Sequence, residues 1–239
     1  MPRRWLEILF TVLMVALMVP CAEAKHHARR MTAANLNPNE FVTSVTNKFF
    51  PLVPGTTFHY EGQKEGVPGT NDTTVLRTTK TILGVKCTTV QDVAYEEGKL
   101  VEKTFDWYAQ DKAGNVWYFG EDSTAYLPDG TTSKEGSWQA GVNGAQQGII
   151  MEAAPKVGDK YQQENAPGVA QDMAQVMSLD KSLCVPYGCF DDLLLTREST
   201  PLDKGDVEQK YYAPNVGFIY GQATKGGDEN TQLVSVTGN

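Results

Sequence analysis

The stretch TFDWYAQ at residues 104–110, the loop DKAGN at 111–115 and the stretch VWYF at 116–119 decide the fold of this chain. Two runs rich in aromatic and β-branched residues, on either side of a polar loop that contains glycine, predict a β-hairpin. Successive side chains of a strand point to opposite faces, so alternate residues of the first run, FWA, should share one face. The second run is apolar at every position. We therefore expect a hairpin with aromatic side chains on both faces.

Short runs of the same kind follow one another along the chain from residue 56. Turns rich in glycine, proline and polar residues separate them at intervals of about 8–12 residues, a spacing typical of antiparallel β proteins. The sequence predicts an all-β fold with minor α content: a curved antiparallel sheet or open half-barrel with short helical segments. Residues 166–178 are the segment where a short helix is the alternative, because alanine, glutamine and methionine favour helices.

The composition narrows the class of protein. The 239 residues carry 21 Lys and Arg against 29 Asp and Glu, a formal net charge of -8, and 10% of them are aromatic. A disordered chain would have fewer aromatic residues, and a surface that binds nucleic acid needs an excess of positive charge. We expect a globular monomer that does not bind nucleic acid.

The N-terminus has the features of a secretory signal peptide. Arg3 and Arg4 precede an apolar run at residues 8–19, and the sequence Ala-Glu-Ala at 22–24 fits a cleavage site. The apolar run is shorter than a helix that spans a bilayer core of roughly 30 Å. A membrane anchor and a lipid attached to Cys21 are the alternatives. The sequence therefore predicts export, to the periplasm or to the outside of the cell.

Three regions follow from that cleavage site. We expect a signal peptide at residues 1–24, a flexible tail at 25–40 and a single antiparallel β domain at 41–239, with no transmembrane segment in the mature chain. The tail would begin Lys-His-His, where the free amine, two deprotonated amides and an imidazole can bind Cu(II) or Ni(II) in a square plane. His26 and His27 are the metal candidates, and a solvated basic tail is the alternative.

Three cysteines follow the predicted cleavage site, and an exported protein meets oxidising conditions in which disulfides form. The sequence Val-Pro-Tyr-Gly at 185–188 predicts a turn, which would place Cys184 and Cys189 opposite each other on neighbouring strands. We expect these two to form a disulfide. A bridge from Cys87 to either of them, and a redox-active pair, are the alternatives.

No familiar catalytic motif is present in the sequence. His59 is the only histidine outside the tail and lies in a predicted strand, where a hydrogen-bonded structural role is expected. Asp106, Asp111, Glu121 and Asp122 are the candidates for a carboxylate- or metal-dependent secreted enzyme, and the Asp111 loop has only a superficial likeness to a calcium loop. We favour a protein without catalytic activity, and the sequence identifies no cofactor.

Seven short stretches form a pattern over about residues 45–222. They are DWYAQD (106–111), GNVWYFGED (114–122), GSWQAGV (136–142), GIIM (148–151), VPYG (185–188), TPL (200–202) and KYYAP (210–214). Together they resemble an uncharacterised family of exported bacterial proteins. The resemblance implies an envelope or secreted β-rich protein, similar in its C-terminal part to half-barrel lipoproteins, and it implies no reaction. The chain departs from that pattern at Cys184, Cys189 and Asn215, and the two cysteines put in doubt any function that needs a mobile hairpin there.

The leading hypothesis is an exported non-catalytic binding or envelope protein whose curved sheet holds a small apolar or amphipathic ligand. Aromatic side chains offer large contact area with little rotamer entropy to lose, and we expect them on the concave side of the sheet, around a cavity. A strand packed between two layers is the alternative. The candidate ligand-binding residues are Phe105, Trp107, Trp117, Phe119, Trp138, Tyr211 and Tyr212.

Overall fold

The computed structural model describes residues 36–238. The predicted signal peptide and most of the predicted tail, with His26 and His27, lie outside the described residues. Seventeen strands make up most of the described chain, and helical structure in it is limited to a 3-10 turn at Pro38–Glu40. The prediction of an all-β fold is confirmed, and the expected short helical segments reduce to this one turn within residues 36–238.

The strands are short at the start of the described chain and in its middle, and long in the hairpins between. Their bounds are β1 Val45–Asn47, β2 Phe50–Leu52, β3 Thr57–Lys64, β4 Val67–Ile82, β5 Val85–Glu96, β6 Lys99–Gln110, β7 Val116–Tyr126, β8 Thr132–Ser133, β9 Trp138–Gln139, β10 Gln146–Met151, β11 Lys160–Gln162, β12 Glu164–Asn165, β13 Met173–Val185, β14 Gly188–Ser199, β15 Val207–Ala213, β16 Gly217–Lys225 and β17 Glu229–Thr237. The deciding hairpin of the sequence is β6–β7, and residues 173–178 lie in β13 and not in a helix.

One antiparallel sheet contains all of these strands except β1 and β2, and it curls into a nearly closed barrel. Its order is β11-β13-β14-β15-β16-β17-β3-β4-β5-β6-β7-β10-β12, with β8 and β9 beside β7. The strands at the two ends of this order, β11 and β12, are separated in the chain by Gln163 alone. The backbone N–H groups of Gln163 and Glu164 donate to the carbonyl of Asp172 at 2.7 and 3.2 Å, so the two edges of the sheet meet.

Glycine permits close backbone approaches at this seam and where β9 lies beside β7. A Cβ atom at Gly148 of β10 would lie 2.1 Å from the carbonyl oxygen of Gln163. A Cβ atom at Gly120 of β7, where φ is +121°, would lie 2.3 Å from the carbonyl oxygen of Trp138. Any larger residue would push these backbone segments apart, so both glycines help the sheet to bend tightly.

The interior of the barrel, which we call the lumen, has an apolar part and a polar part. The small hairpin β1–β2 packs Phe49 and Leu52 against buried residues of the long strands, such as Val75 and Leu194, in the apolar part. The polar part contains charged side chains, and charged residues are rarely buried unless they are paired. The buried charged residues of this part include Lys64, Glu102, Asp106, Glu121, Glu164, Glu198 and Glu229.

The predicted disulfide is present at the tip of the β13–β14 hairpin. Cys184 and Cys189 are bonded to each other and lie opposite each other in the register of the two strands. Cys87 is a buried free thiol. The alternative pairing through Cys87 is therefore wrong.

Candidate functional site

A cavity of about 80 Å³ lies in the polar part of the lumen. Its wall includes residues of β5, β6 and β7 and residues of β14 and β15, which are far apart in the order of the sheet. Residues near the seam complete the wall. Because distant strands meet around one space, the cavity lies inside the curled sheet, and we call it the lumen cavity.

Strand alternation and register bring polar groups to this cavity. Thr104, Asp106 and Tyr108 are alternate residues of β6, and all three line the cavity. Asp106 is paired in register with Glu121 of β7, and Thr104 is paired with Asp92 of β5. Side chains of directly opposite residues on neighbouring strands lie on the same face of a sheet. The register therefore brings carboxyl groups from three strands to one face.

Neutral donors hold two of these carboxyl groups. The hydroxyl of Tyr118 donates to Oδ1 of Asp106 at 2.5 Å. Oδ1 of Asp92 accepts hydrogen bonds from the hydroxyl of Thr73 and, at 3.1 Å, from the amide of Asn71. None of these donors carries a positive charge, so they orient the carboxyl groups without neutralising them.

Burial is the main cause that raises the pKa of both Asp92 and Asp106. For Asp106, the negative charges of Asp92 and Glu121 raise the pKa further, while the hydrogen bond from Tyr118 acts in the opposite direction. These two carboxyl groups therefore keep protons at pH values where an isolated aspartate is ionised.

Among residues 36–238, Lys210 supplies the one positive charge on the wall of the lumen cavity. Its Nζ lies 2.8 Å from Oε2 of Glu198 and 3.3 Å from Oε2 of Glu208. Burial alone would lower the pKa of Lys210, but the two glutamates raise it well above its usual value. Burial would raise the pKa of Glu198, but Lys210 outweighs burial and the pKa is lowered. Lys210, with 21% of its side chain exposed, and the buried Glu198 are thus a charged pair.

The lumen cavity is strongly acidic and small. Tyr108, Tyr118 and Tyr212 add three aromatic side chains to its wall. A volume of about 80 Å³ has room for two or three groups of about the size of a water molecule, whereas pockets for drug-sized ligands have roughly 300–1,000 Å³. Such a space can bind a small cation or share protons among its carboxyl groups. The seven carboxyl groups on the wall belong to Asp92, Glu102, Asp106, Glu121, Glu164, Asp172 and Glu198.

The structure distributes the seven predicted ligand-binding residues over several places. Trp107, Trp117 and Phe119 are buried in one apolar cluster with Ile82, Val85 and Cys87, and Phe105 packs against it. This cluster lies on the face of β6–β7 opposite the lumen cavity and is covered by Leu36, Phe41 and Ala140. We call it the outer face.

The other three predicted residues lie nearer the lumen or farther along the sheet. Tyr212 lines the lumen cavity. Trp138 packs edge-on against Tyr118, with ring centroids 5.3 Å apart. Tyr211 packs beside Tyr220, with a centroid distance of 5.8 Å. Tyr212 and Trp138 are therefore the predicted aromatic residues that lie at or next to the cavity.

The candidate enzyme carboxylates also separate. Asp106 and Glu121 lie side by side at the lumen cavity. Asp122 points away from it and forms a surface ion pair with Lys134 at 2.5 Å. Asp111, the aspartate of the hairpin loop, accepts hydrogen bonds at both of its carboxylate oxygens.

The carboxylate of Asp111 has a structural role in the hairpin loop. Its Oδ1 accepts the backbone N–H of Asn115 at 2.9 Å, and its Oδ2 accepts the side-chain amide of Asn115 at 2.9 Å and the indole N–H of Trp117 at 2.8 Å. These bonds explain why the loop at residues 111–115 carries Asp, Gly and Asn, without a bound calcium ion. Within residues 36–238, no group of three or more His, Cys, Asp or Glu side chains has the arrangement of a metal site.

Sequence reasoning missed most of the cavity wall. Asp92, Glu198 and Lys210 lie on three different strands and come together only because the sheet curls. The signal that was available is local: Glu102, Thr104 and Asp106 form a polar stripe at alternate positions of β6. In an open antiparallel sheet such a stripe faces water, and in this closed one it faces the lumen. His59, as expected, is hydrogen-bonded within its strand pair, 2.6 Å from Oδ1 of Asp72.

Comparison with solved structures finds two similar chains from bacteria. One is provisionally described as an exported protein with a YmcC-like fold from Bacteroides fragilis; it has 12% identity and a TM-score of 0.48, over 80% of this chain and 100% of that chain. The other is provisionally described as a lipoprotein from Parabacteroides distasonis; it has 15% identity and a TM-score of 0.45, over 80% of this chain and 99% of that chain. These similarities are too low to carry a functional argument.

No protein-family profile matches the chain, and no curated protein matches it in sequence. No helix between residues 36 and 238 has the length and apolar composition that a membrane-crossing helix requires.

Proposed function

We propose that this protein is an exported, non-catalytic binding protein that holds a small cationic or amphipathic amine in the lumen cavity. The signal-peptide features of residues 1–24 support export. The disulfide between Cys184 and Cys189 supports it as well, because disulfides persist in oxidising compartments outside the cytosol.

The excess of buried negative charge carries the proposal. Seven carboxyl groups and one lysine ammonium group line the same cavity. Taking carboxylates out of water is costly unless protons or cations compensate their charge. Protons compensate part of it at Asp92 and Asp106, whose pKa values are raised by burial. A bound ammonium group would compensate more of it, because its hydrogen bonds come with a positive charge. The hydroxyl donors of Tyr118 and Thr104 are neutral.

The size and the tyrosines of the cavity define the ligand further. A space of about 80 Å³ fits an ammonium group with a short alkyl chain, at roughly 30 Å³ per water-sized group. Tyr108 and Tyr118 stack at a centroid distance of 4.7 Å and offer an aromatic surface to such a chain. Tyr212 and Trp138, two of the predicted ligand-binding residues, lie at or next to this cavity and would contact the ligand or its surroundings. The ligand class is therefore a short primary alkylamine.

Calorimetry with the chain 25–239 tests the proposal. We expect ethylamine to bind near neutral pH, whereas ethanol and acetate, which match its chain length but lack its positive charge, should not bind. Trp138 reports on the same event, because its indole N–H donates to Glu164 of the cavity wall at 3.4 Å. Binding should change the tryptophan fluorescence in the native chain but not in Trp138→Phe. Equal binding of ethylamine and ethanol would contradict a cation site.

A pair of matched variants locates the site. Asp106→Asn replaces a lumen carboxyl group by an amide that cannot become negative, so ethylamine affinity should fall about tenfold or more. Asp122→Asn makes the same change on the neighbouring strand, at an exposed ion pair with Lys134, and should leave the affinity unchanged. An equal effect of both variants would show that net charge and not the lumen cavity attracts the amine.

A carboxylate-dependent enzyme is the second candidate, because the structure brings Asp106 and Glu121 together and the pKa of Asp106 is raised by burial and neighbouring charge. Two adjacent carboxyl groups, one of which has a raised pKa, can act as an acid–base pair. An activity in a hydrolase screen that Glu121→Gln abolishes would favour this candidate over a binding protein.

A further inference from the structure

The strand β15 presents different side chains to the lumen and to the outside of the barrel. Lys210 and Tyr212 line the lumen cavity. Successive side chains of a strand point to opposite faces, so Gln209 and Tyr211 lie on the face that points away from the lumen. The charge of Lys210 thus points inward, whereas an amide and a phenol point outward.

The register of the sheet continues this outward face over β16 and β17. Tyr220 and Gln222 of β16 are paired with Tyr211 and Gln209, and Gln232 of β17 is paired with Tyr220. Directly opposite side chains on neighbouring strands lie on the same face of a sheet, and all five are half-buried. We call them the tyrosine–amide stripe: Gln209, Tyr211, Tyr220, Gln222 and Gln232.

Contacts within the stripe fix the orientation of its side chains. The rings of Tyr211 and Tyr220 lie 5.8 Å apart between centroids, tilted by 59°, and both pack against the buried cluster that contains Ile219. The hydroxyl of Tyr220 donates to Oε1 of Gln222 at 3.2 Å. Nε2 of Gln222 in turn donates to Oε1 of Gln209 at 3.3 Å. A ligand that binds here therefore finds side chains that have little conformational freedom left to lose.

Polar groups of the stripe are available to a ligand, and none of them is charged. Within residues 36–238, the hydroxyl of Tyr211, Nε2 of Gln209 and the side-chain amide of Gln232 make no hydrogen bond. An amide both donates and accepts hydrogen bonds. The nearest charged residues in the register lie at the two edges, where Arg197 is opposite Gln209 and Glu61 is opposite Gln232.

This chemistry fits an uncharged ligand that is rich in hydroxyl groups. A charged partner finds no opposite charge in the stripe, although the chain as a whole carries a net charge of -8. Tyrosine offers a rigid, amphipathic surface on which the C–H face of a sugar ring can pack, and the amides can pair with the hydroxyl groups of the ring. A protein partner is less well matched, because protein interfaces have an apolar core and the adjacent aliphatic residue, Leu195, is buried.

We propose that the tyrosine–amide stripe binds a neutral polysaccharide on the outside of the barrel. Neighbouring strands lie about 4.8 Å apart, so the three strands of the stripe span about 10 Å, the length of about two sugar rings. The stripe shares no residue with the wall of the lumen cavity. This inference therefore does not depend on the proposed function.

Affinity electrophoresis of the chain 25–239 tests the proposal, in gels that contain hydroxyethylcellulose, soluble starch, galactomannan or laminarin. We expect at least one of these neutral polysaccharides to slow the migration of the protein. Carboxymethylcellulose has the backbone of hydroxyethylcellulose but carries negative charges, and it should not slow the migration. An unchanged migration in all four neutral gels, or slowing by carboxymethylcellulose alone, would overturn the proposal.

Calorimetry with oligosaccharides of the polysaccharide that binds measures the length of the site. Affinity should rise at least about tenfold from the monosaccharide to the trisaccharide, because a second tyrosine and further amides are reached. It should rise little beyond the trisaccharide. Equal affinities of the monosaccharide and the trisaccharide would contradict a site that extends over three strands.

Matched tyrosine variants locate the site. Tyr220→Ala removes one of the two rings, so affinity for the polysaccharide should fall at least about tenfold. Tyr126→Ala removes another half-buried tyrosine, on β7 and outside the stripe, and should leave the affinity unchanged. Equal losses in both variants would overturn the proposal.

Two further measurements keep the result decisive. Circular dichroism and a thermal melt establish that each variant is folded, and Gln222→Ala replaces Tyr220→Ala if the latter does not fold. Unchanged affinity in a folded Gln222→Ala would contradict the proposal. Sedimentation of the native chain at increasing concentration tests a protein partner: self-association that Tyr220→Ala abolishes, without polysaccharide binding, would make the stripe a protein interface and overturn the inference.

The two proposals for this protein fail in different ways. Polysaccharide binding without ethylamine binding would overturn the proposed function alone. Ethylamine binding without polysaccharide binding would overturn this inference alone.

Discussion

The two faces of the β6–β7 hairpin are built from alternate residues of the same two strands, and they differ in almost every physical respect. The outer face carries Trp107 and Phe119, which pack with Ile82 and Val85 into a buried apolar cluster. The lumen face carries Asp106 and acidic neighbours around a cavity. The usual arrangement, with apolar residues inside a sheet and polar residues outside, is reversed here.

The reversal has a structural cause. The segment that contains Leu36 and Phe41 covers the outer face, and the ring of Phe41 meets that of Phe119 edge-on at 5.7 Å. Ala140, after β9, covers it from the other side. Apolar residues can therefore be buried outside the sheet, which leaves the lumen free to be polar. The outer face should supply stability and the lumen face should supply function.

The largest effect should come from the outer face. Phe119 is fully buried, so Phe119→Ala should lower the free energy of unfolding by about 3–5 kcal/mol through lost burial and the cavity that remains. Tyr118→Phe, one residue earlier on the lumen face, removes only the hydrogen bond to Asp106 and should cost about 1 kcal/mol. Urea unfolding of both variants measures the contrast. A larger cost for Tyr118→Phe would reverse the roles of the two faces.

The next effect is the pH dependence of stability, which the lumen should control. The pKa of Glu229 is raised from 4.5 to about 7, mainly by burial, and a carboxyl group with a raised pKa binds protons more tightly in the folded state. Stability is thus lost as the pH rises from about 4.5 through 7, by up to roughly 3 kcal/mol for this group.

Urea unfolding at several pH values checks this prediction. The protein should be more stable at about pH 5 than at about pH 8, and Glu229→Gln should flatten the dependence between them. Glu198, whose pKa Lys210 lowers against the effect of burial, contributes in the opposite direction below its usual pKa. A stability that increases steadily from pH 5 to pH 8 would show that the lumen carboxyl groups are not held in their protonated form.

Local sequence determined the hairpin well but not the direction in which its faces point. The loop at residues 111–115 forms as predicted, and Phe105, Trp107 and Ala109 share one face. Which face becomes concave depends on residues 36–41, on Ala140 and on the closure of the sheet, and these are distant in sequence. An alternating pattern gives the same signal in an open sheet and in a barrel.

The candidate site was less predictable than the fold for a similar reason. Asp106 and Glu121 were among the candidates because they lie near one hairpin. Glu198 and Lys210 were not, because each is an ordinary charged residue of a strand until the curled sheet brings it to the wall of the cavity. The disulfide was predictable, since a four-residue turn brings its two cysteines together locally.

That disulfide should have a moderate effect and lies away from both faces. It joins residues five positions apart, so Cys184→Ser with Cys189→Ser should lower the free energy of unfolding by roughly 2 kcal/mol. Amine binding in the lumen cavity should not change. Intact-mass analysis of denatured, alkylated chain 25–239 should show one free thiol, from Cys87. Two or three alkylated thiols would contradict the pairing.

The smallest effect should come from the carboxylate on the outer side. Asp122 and Lys134 have about half of their side chains exposed, 49% and 57%, and solvent screens such pairs. Asp122→Asn should therefore change the free energy of unfolding by less than about 0.5 kcal/mol and leave its pH dependence as in the native chain. Asp106→Asn removes a buried group whose pKa is raised by burial and should reduce the loss of stability above neutral pH. The two aspartates lie on neighbouring strands of one hairpin but differ greatly in burial. Equal pH profiles of the two variants would mean that water reaches the lumen and that burial does not raise the pKa of Asp106.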